Sequence, residues 1–144
     1  MARKPLAMET QTMSQIKSKI VRISQSDEHI FHFISDFTNF EKLMPPQVQN
    51  LTITKDNCSF TLQGLPPINL IISDRVPFSL VKMDAYDGKL PFSLSCSLQK
   101  IDEVSCEAQF IFDAELNMMM KMMVEKPLTN FLNLLVDKLR EIKS

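Results

Sequence analysis

The 144-residue sequence predicts an α+β domain in which a curved antiparallel sheet packs against a long C-terminal helix. Apolar and polar residues alternate along three consecutive segments, 79–85, 92–99 and 105–116, which is typical of strands with one buried and one solvated face. After Asn117 the apolar spacing changes to about 3.6 residues, which indicates a helix. Such a helix can bury its apolar stripe on the dry face of the sheet.

The N-terminal third predicts one strand followed by two short helices. The β-branched residues in 16–24 favour a strand. Ser26 or Asp27 is expected to cap the first helix, because a side-chain oxygen there can accept a free backbone N–H. A second short helix, 40–44, is expected to end before Pro45, since proline disfavours helical backbone in the residue that precedes it.

The middle of the chain supplies three further strands, so the predicted sheet has seven. These strands are 47–55, 58–63 and 68–75, and charged or proline-rich turns separate them. In the last helix, Asn117 is the expected N-cap. Pro127 lies inside that helix and is expected to kink or break it, since proline lacks the N–H that the helix needs.

Composition narrows the classes of function. The formal net charge is -1, and Lys and Arg occur singly, so no nucleic-acid surface is expected. No apolar run approaches the roughly 20 residues of a membrane-spanning helix, and no export signal is visible, which favours a cytoplasmic protein. The three cysteines are an odd number outside CxxC pairs, as expected for buried free thiols. Residues 1–15 are expected to be a flexible tail, and 16–144 a single domain.

Four features resemble the START-like superfamily, also called SRPBCC, the birch-pollen-allergen-like or the polyketide cyclase/dehydrase-like group. They are the opening IVRISQSDEHIFHFISDFTNFEKL, the six-strand meander, the strand SCEAQFIFDAEL and the final helix MMMKMMVEKPLTNFLNLLVDKLREI. The resemblance covers nearly the whole chain. It implies a helix-grip fold: a seven-stranded curved antiparallel sheet, two short helices after strand 1, and a long C-terminal helix on the concave face. It also implies an internal cavity for a lipid, sterol, quinone or polyketide-like molecule.

The alternation of the strands and this fold together predict a site. The expected cavity-lining residues are Phe60, Leu62, Met83, Phe92, Leu94, Phe110, Phe112, Met120 and Met123. In the helix-grip arrangement, loops and the start of the last helix frame the mouth, which would place Met44, Leu65, Pro66, Tyr86, Leu90 and Met119 there. An inward Arg75 could anchor a ligand carboxylate through two parallel hydrogen bonds.

No catalytic residue, cofactor or metal site is predicted. His29 and His32 are three residues apart and could share a helix face, but no metal-binding motif such as HExxH accompanies them. Unlike the cyclases and hydrolases of the superfamily, the chain places no paired acids or His-acid pair at inward strand positions. An exposed helix surface is therefore the preferred interpretation of both histidines.

Three functions remain open at this stage. The first is non-enzymatic binding or transport of a small apolar molecule in the cavity. The second is a protein-interaction module resembling chaperone-ATPase activators or quinone chaperones. It would dock transiently on a protein or membrane through an apolar rim, formed by the proline-containing loops 44–46, 64–67 and 86–91, and through the methionines of 118–123. The third is a cyclase-type enzyme, which would need an inward acid, base or polar cluster.

Overall fold

A computed structural model describes residues 12–62, 65–88 and 91–142. The described chain contains eight strands, two α-helices and one 3₁₀ helix. In chain order these are β1 (Thr12–Lys17), β2 (Val21–Ile23), α1 (Asp27–Ile34), the 3₁₀ helix (Phe37–Lys42), β3 (Gln49–Ile53), β4 (Asn57–Thr61), β5 (Ile68–Val76), β6 (Leu80–Ala85), β7 (Phe92–Asp102), β8 (Ser105–Leu116) and α2 (Met118–Arg140). No helix in these ranges has the length and hydropathy to cross a membrane.

The strands form one curved antiparallel sheet in the order β1-β8-β7-β6-β5-β4-β3. β2 also pairs with β8, beyond the end of β1, so β1 and β2 together occupy a single strand position. The sheet therefore has seven positions, and the predicted helix-grip architecture is confirmed. From β3 to β8 every strand pairs with the next one in sequence, which is the meander that the alternation predicted.

The predicted first strand, 16–24, differs from the observed one at both its start and its middle. The strand begins at Thr12, so residues 12–15 lie in β1 rather than in the predicted tail, because they pair with the end of β8. It is interrupted at Ser18, whose Oγ accepts a hydrogen bond from the Phe110 N–H at 3.0 Å. The Ser18 side chain thus replaces a backbone acceptor in one hydrogen bond between the strands. Residues 1–11 lie outside the described part of the chain.

One face of the sheet carries the core. Along β8, Ala108, Phe110, Phe112 and Ala114 are buried, whereas Glu107 and Glu115 are exposed. The helix α1 lies close to β6, β7 and β8, and α2 lies close to β8, β1 and β2. β8 is therefore the strand that both helices approach.

The long helix starts where the sequence predicts and continues further than expected. The Asn117 side chain accepts a hydrogen bond from the Met120 N–H at 2.8 Å, so the predicted N-cap is confirmed. The helix is continuous through Pro127, and the expected break is wrong. Proline removes only one hydrogen bond, and Val124 before it and Leu128 after it are both buried against the core, which favours helix on both sides of Pro127.

All three thiols are free and buried, as predicted. Cys58, Cys96 and Cys106 each lie on an inward position of a strand. Burial raises the pKa of Cys58 from 9.0 to about 12 and that of Cys106 to about 11, and it raises the pKa of Cys96 as well. The low-dielectric surroundings disfavour the thiolate, so these side chains act as small apolar groups.

The raised pKa values predict a loss of stability at alkaline pH. Below pH 9 the thiols are neutral in both states, and their contribution to the free energy of unfolding is complete. Above it, the unfolded thiols ionise while the folded ones remain neutral, so the free energy of unfolding falls toward pH 11–12. The expected loss is about 1 kcal/mol per thiol at pH 10, measured by urea denaturation. A variant with all three cysteines replaced by alanine is the control, and an equally steep fall in that variant would contradict the assignment.

Candidate ligand pocket

A pocket lies between the ends of strands β4 to β8 and the middle of α2. The centres of water-sized molecules can occupy about 40 Å³ of it. All of its empty space, including the open entrance, amounts to about 640 Å³. Since about 10–15 Å³ measured in this way holds one water, the enclosed part is small. The residues that line it are Phe60, Leu65, Pro66, Pro67, Ile68, Asn69, Leu70, Ala85, Tyr86, Gly88, Phe92, Leu94, Phe112, Val124, Leu128, Phe131 and Leu132.

Two aromatic pairs shape the inside of the pocket. Phe92 of β7 lies against Phe112 of β8, with ring centroids 4.8 Å apart. On the other side, Phe60 of β4 contacts Phe131 of α2, with ring centroids 5.5 Å apart. Because rings at these distances make extensive dispersion contacts, the two pairs fix the width of the pocket on both sides.

Two loops form the rim of the pocket: the loop that precedes β5 and the loop that follows β6. The backbone N–H of Tyr86 donates to the Asn69 carbonyl at 3.0 Å, which holds the loop after β6 against the start of β5. Pro66 and Pro67 precede β5 and stiffen the facing loop. Asn69 and Tyr86 are the residues with polar side chains among those that line the pocket, and Tyr86 has the ionisable one.

Several residues predicted for the cavity and its mouth do line this pocket. They are Phe60, Phe92, Leu94 and Phe112 on the inside and Leu65, Pro66 and Tyr86 at the rim. The alternation of the strands placed the first group on the inward face, and the fold placed the second group at one end. Leu90, also predicted for the mouth, lies outside the described residues.

Other predicted lining residues lie elsewhere. Met83 and Phe110 are fully buried within the core and do not border the pocket. They sit on the predicted inward face, but neighbouring side chains fill the space around them. Leu62 lines a separate groove, and Met44 packs, partly buried, against the edge of the core.

The methionines of α2 point mostly to solvent, which corrects their predicted place in the site. Only Met120 packs against the core, because it is one turn before Val124 on the buried stripe. Met119 and Met123, predicted for the mouth and the cavity, are on flanking faces. The side chains of Met118, Met119, Met122 and Met123 are between 64% and 77% exposed.

Arg75 does not reach the pocket, and its predicted role as an inward anchor is corrected. Its Nη2 donates to the Ser35 carbonyl at 2.8 Å and lies 3.3 Å from Asp56 Oδ1. It therefore links β5 to the end of α1 and to the β3–β4 turn. The pocket is lined by the start of β5, residues 68–70, whereas Arg75 lies near the opposite end of that strand, where its side chain contacts Ser35 and Asp56.

The histidines lie on the surface of α1. His32 Nε2 is 3.9 Å from Glu28 Oε2, and its ring meets that of Phe31 edge-on. Within the described ranges, no three side chains of the His, Cys, Asp or Glu type come together as metal ligands.

The main part of the pocket that sequence reasoning missed is its α2 wall. Val124, Leu128 and Phe131 belong to the buried apolar stripe of the helix, and none of them is among the residues predicted for the cavity. Helical spacing carried the signal, since the stripe must face the same space as the inward strand residues. Leu132, next to Phe131, widens that wall.

The fold is shared with solved structures across almost the whole chain. A norcoclaurine synthase from Thalictrum flavum superposes with a TM-score of 0.69 over 92% of this chain and 94% of its own, at 13% identity. A START superfamily protein from Mycobacterium smegmatis gives a TM-score of 0.64 over 91% and 99%, at 14% identity. The chain has a START-like fold.

No protein-family model matches the sequence, and no curated protein matches it. The similarity therefore rests on three-dimensional structure, and at such identities it shows the fold alone.

The contacts of Arg75 predict a structural role for this residue. We expect Arg75→Ala to lower the free energy of unfolding by about 1 kcal/mol, because the bonds to Ser35 and Asp56 are lost. Arg75→Lys keeps the charge but lacks the planar guanidinium, so its free energy of unfolding should lie between those of the wild type and Arg75→Ala. Urea denaturation measures both variants. A variant with wild-type stability but weakened binding of an apolar carboxylate would instead identify Arg75 as a ligand anchor.

Proposed function

We propose that the protein binds a small apolar molecule in the pocket between the sheet and α2. The observation that carries this proposal is the lining of the pocket, in which aliphatic, aromatic and proline side chains surround a space open at one end. Pockets of this composition bind by removing apolar surface from water, at about 25 cal/mol per Å².

The size of the pocket favours a compact ligand. The volume of about 40 Å³ open to the centres of water-sized molecules is far below the several hundred Å³ of a typical drug-sized site. A flat aromatic group fits such a space better than a sterol, which would require the walls to move apart. A norcoclaurine synthase of similar fold was solved in complex with dopamine and hydroxybenzaldehyde, which are both small aromatic molecules.

The rim offers a means of orienting the ligand. Tyr86 can donate or accept a hydrogen bond through its hydroxyl, and Asn69 is beside it. A ligand with an apolar body and one polar substituent would place the substituent at this rim. Transport, the interaction module and the cyclase-type activity stay predictions.

The proposal is tested by filling the pocket. Ala85 lines it from an inward position of β6, so Ala85→Leu inserts a larger side chain where the ligand would lie. We expect 4-hydroxybenzaldehyde and the quinone menadione to bind the wild-type protein, and the variant to bind them at least tenfold more weakly. Isothermal titration calorimetry, supported by native mass spectrometry, measures both affinities.

The matched control is Ser93→Leu. Ser93 lies on the outward face of β7, so its replacement adds a similar side chain away from the pocket. Binding should survive in this variant. Failure of every probe to bind the wild type, or equal binding to wild type and Ala85→Leu, would overturn the proposal.

A further inference from the structure

A second cavity adjoins the pocket along the same side of α2. It is a surface groove with a volume of about 170 Å³, lined by Pro45, Gln47, Leu62, Pro127, Asn130, Phe131 and Leu134. Phe131 also lines the inner pocket. One side chain, 5% exposed, therefore lines both an apolar pocket and a neighbouring groove that contains polar side chains.

The two spaces follow one seam between β4 and α2. On the helix, the residues that border the pocket include Val124, Leu128 and Phe131. The groove is bordered by Pro127, Asn130 and Leu134, which follow one another at spacings of three and four and so share an adjacent face. On the strand, Phe60 lines the pocket and Leu62, two positions later on the same face, lines the groove. Two strand positions correspond to about 7 Å, so the spaces are neighbours on both walls.

This seam is the looser side of the helix. The close backbone approaches of α2 are to β8, β1 and β2. Toward β4, the ring contact of Phe131 with Phe60 bridges the gap. A rotation of the Phe131 side chain would therefore join the two spaces without moving the helix from its main support.

The groove differs from the pocket in its polarity. Gln47 and Asn130 are exposed at its edge, and neither amide side chain has a hydrogen-bond partner in the described ranges. An amide can both donate and accept, and it carries no charge. Such a pair suits an uncharged polar group that needs both kinds of partner.

We propose that the groove is a second subsite, which holds the uncharged polar end of an amphipathic ligand whose apolar end fills the inner pocket. Phe131 is the movable wall between the two. The inference rests on the proposed function and narrows its ligand class to molecules with an apolar body and a hydroxyl or carbonyl end. A primary alkanol is the simplest member of this class.

The test compares a probe that spans both subsites with one that fits the pocket alone. We expect 1-decanol to lose about fivefold in affinity with Asn130→Leu and with Gln47→Leu, as each variant removes a neutral hydrogen bond. The affinity for 4-hydroxybenzaldehyde should not change. Gln99→Leu, the same replacement at an exposed position of β7, is the matched control for both probes.

Phe131 is tested separately. Phe131→Leu shortens the wall while keeping an apolar side chain, and we expect it to raise the affinity for 1-decanol several-fold without a similar gain for 4-hydroxybenzaldehyde. NMR spectra provide a readout that does not depend on affinity: the side-chain amide signals of Asn130 and Gln47 should shift with the alkanol and stay in place with the aldehyde.

The outcomes separate this inference from the proposed function. Weaker alkanol binding in the groove variants alone supports the second subsite. Unchanged alkanol affinity in both groove variants, with the aldehyde still bound, overturns the subsite and leaves the proposed function standing. No binding of either probe to the wild type overturns both.

Discussion

The packing of α2 on β8 is the contact on which the rest of the structure depends. β8 pairs with β1, β2 and β7, and its buried face lies under both helices. On its buried face, the small Ala108 and Ala114 flank the large Phe110 and Phe112, so the helix can approach closely at the alanines while the aromatic rings fill the space between them. The pocket exists because this close packing is one-sided.

That asymmetry explains where a ligand could enter. The close approaches of α2 are to β8, β1 and β2, and the buried Leu135, Val136 and Leu139 of its second half do not line the pocket. On the side of β4 and the rim loops, α2 borders the pocket and the groove, and the ring contact between Phe131 and Phe60 joins it to β4. Two prolines line the pocket on this side. Opening this side costs fewer buried contacts than displacing the helix from β8, so ligand exchange is expected along it.

Periodicity predicted the elements of the fold, and the resemblance to the START-like superfamily implied their helix-grip arrangement. The strands of the meander have clear alternation, and Asn117 marks the switch to helical spacing, so the sheet, its dry face and the helix follow from local pattern. The early start of the first strand was not predictable in this way. Thr12–Lys17 has no strong alternation of its own and is held in the sheet by pairing with the end of β8. The interruption at Ser18 depends on a single side-chain contact.

The site was predictable only in part, because a pattern assigns a residue to a face and not to a space. Met83 and Leu94 share the inward face, yet Met83 is enclosed by the core and Leu94 borders the pocket. For α2, the unusual number of methionines drew attention to the residues around Lys121, whereas the wall of the pocket is the ordinary Leu and Phe stripe one turn later. Arg75 shows that position along a strand matters as well as face, because it lies near the end of β5 that is away from the pocket.

The central claim is that a small apolar molecule binds between the sheet and α2. Its most direct test is the set of intermolecular nuclear Overhauser effects between the aromatic protons of bound 4-hydroxybenzaldehyde and the methyl groups of the protein. The account predicts contacts to the methyl groups of Leu94 and Leu128, which line the pocket from the strand and the helix. Contacts confined to the methyl groups of the exposed methionines Met118, Met119, Met122 and Met123 would contradict it.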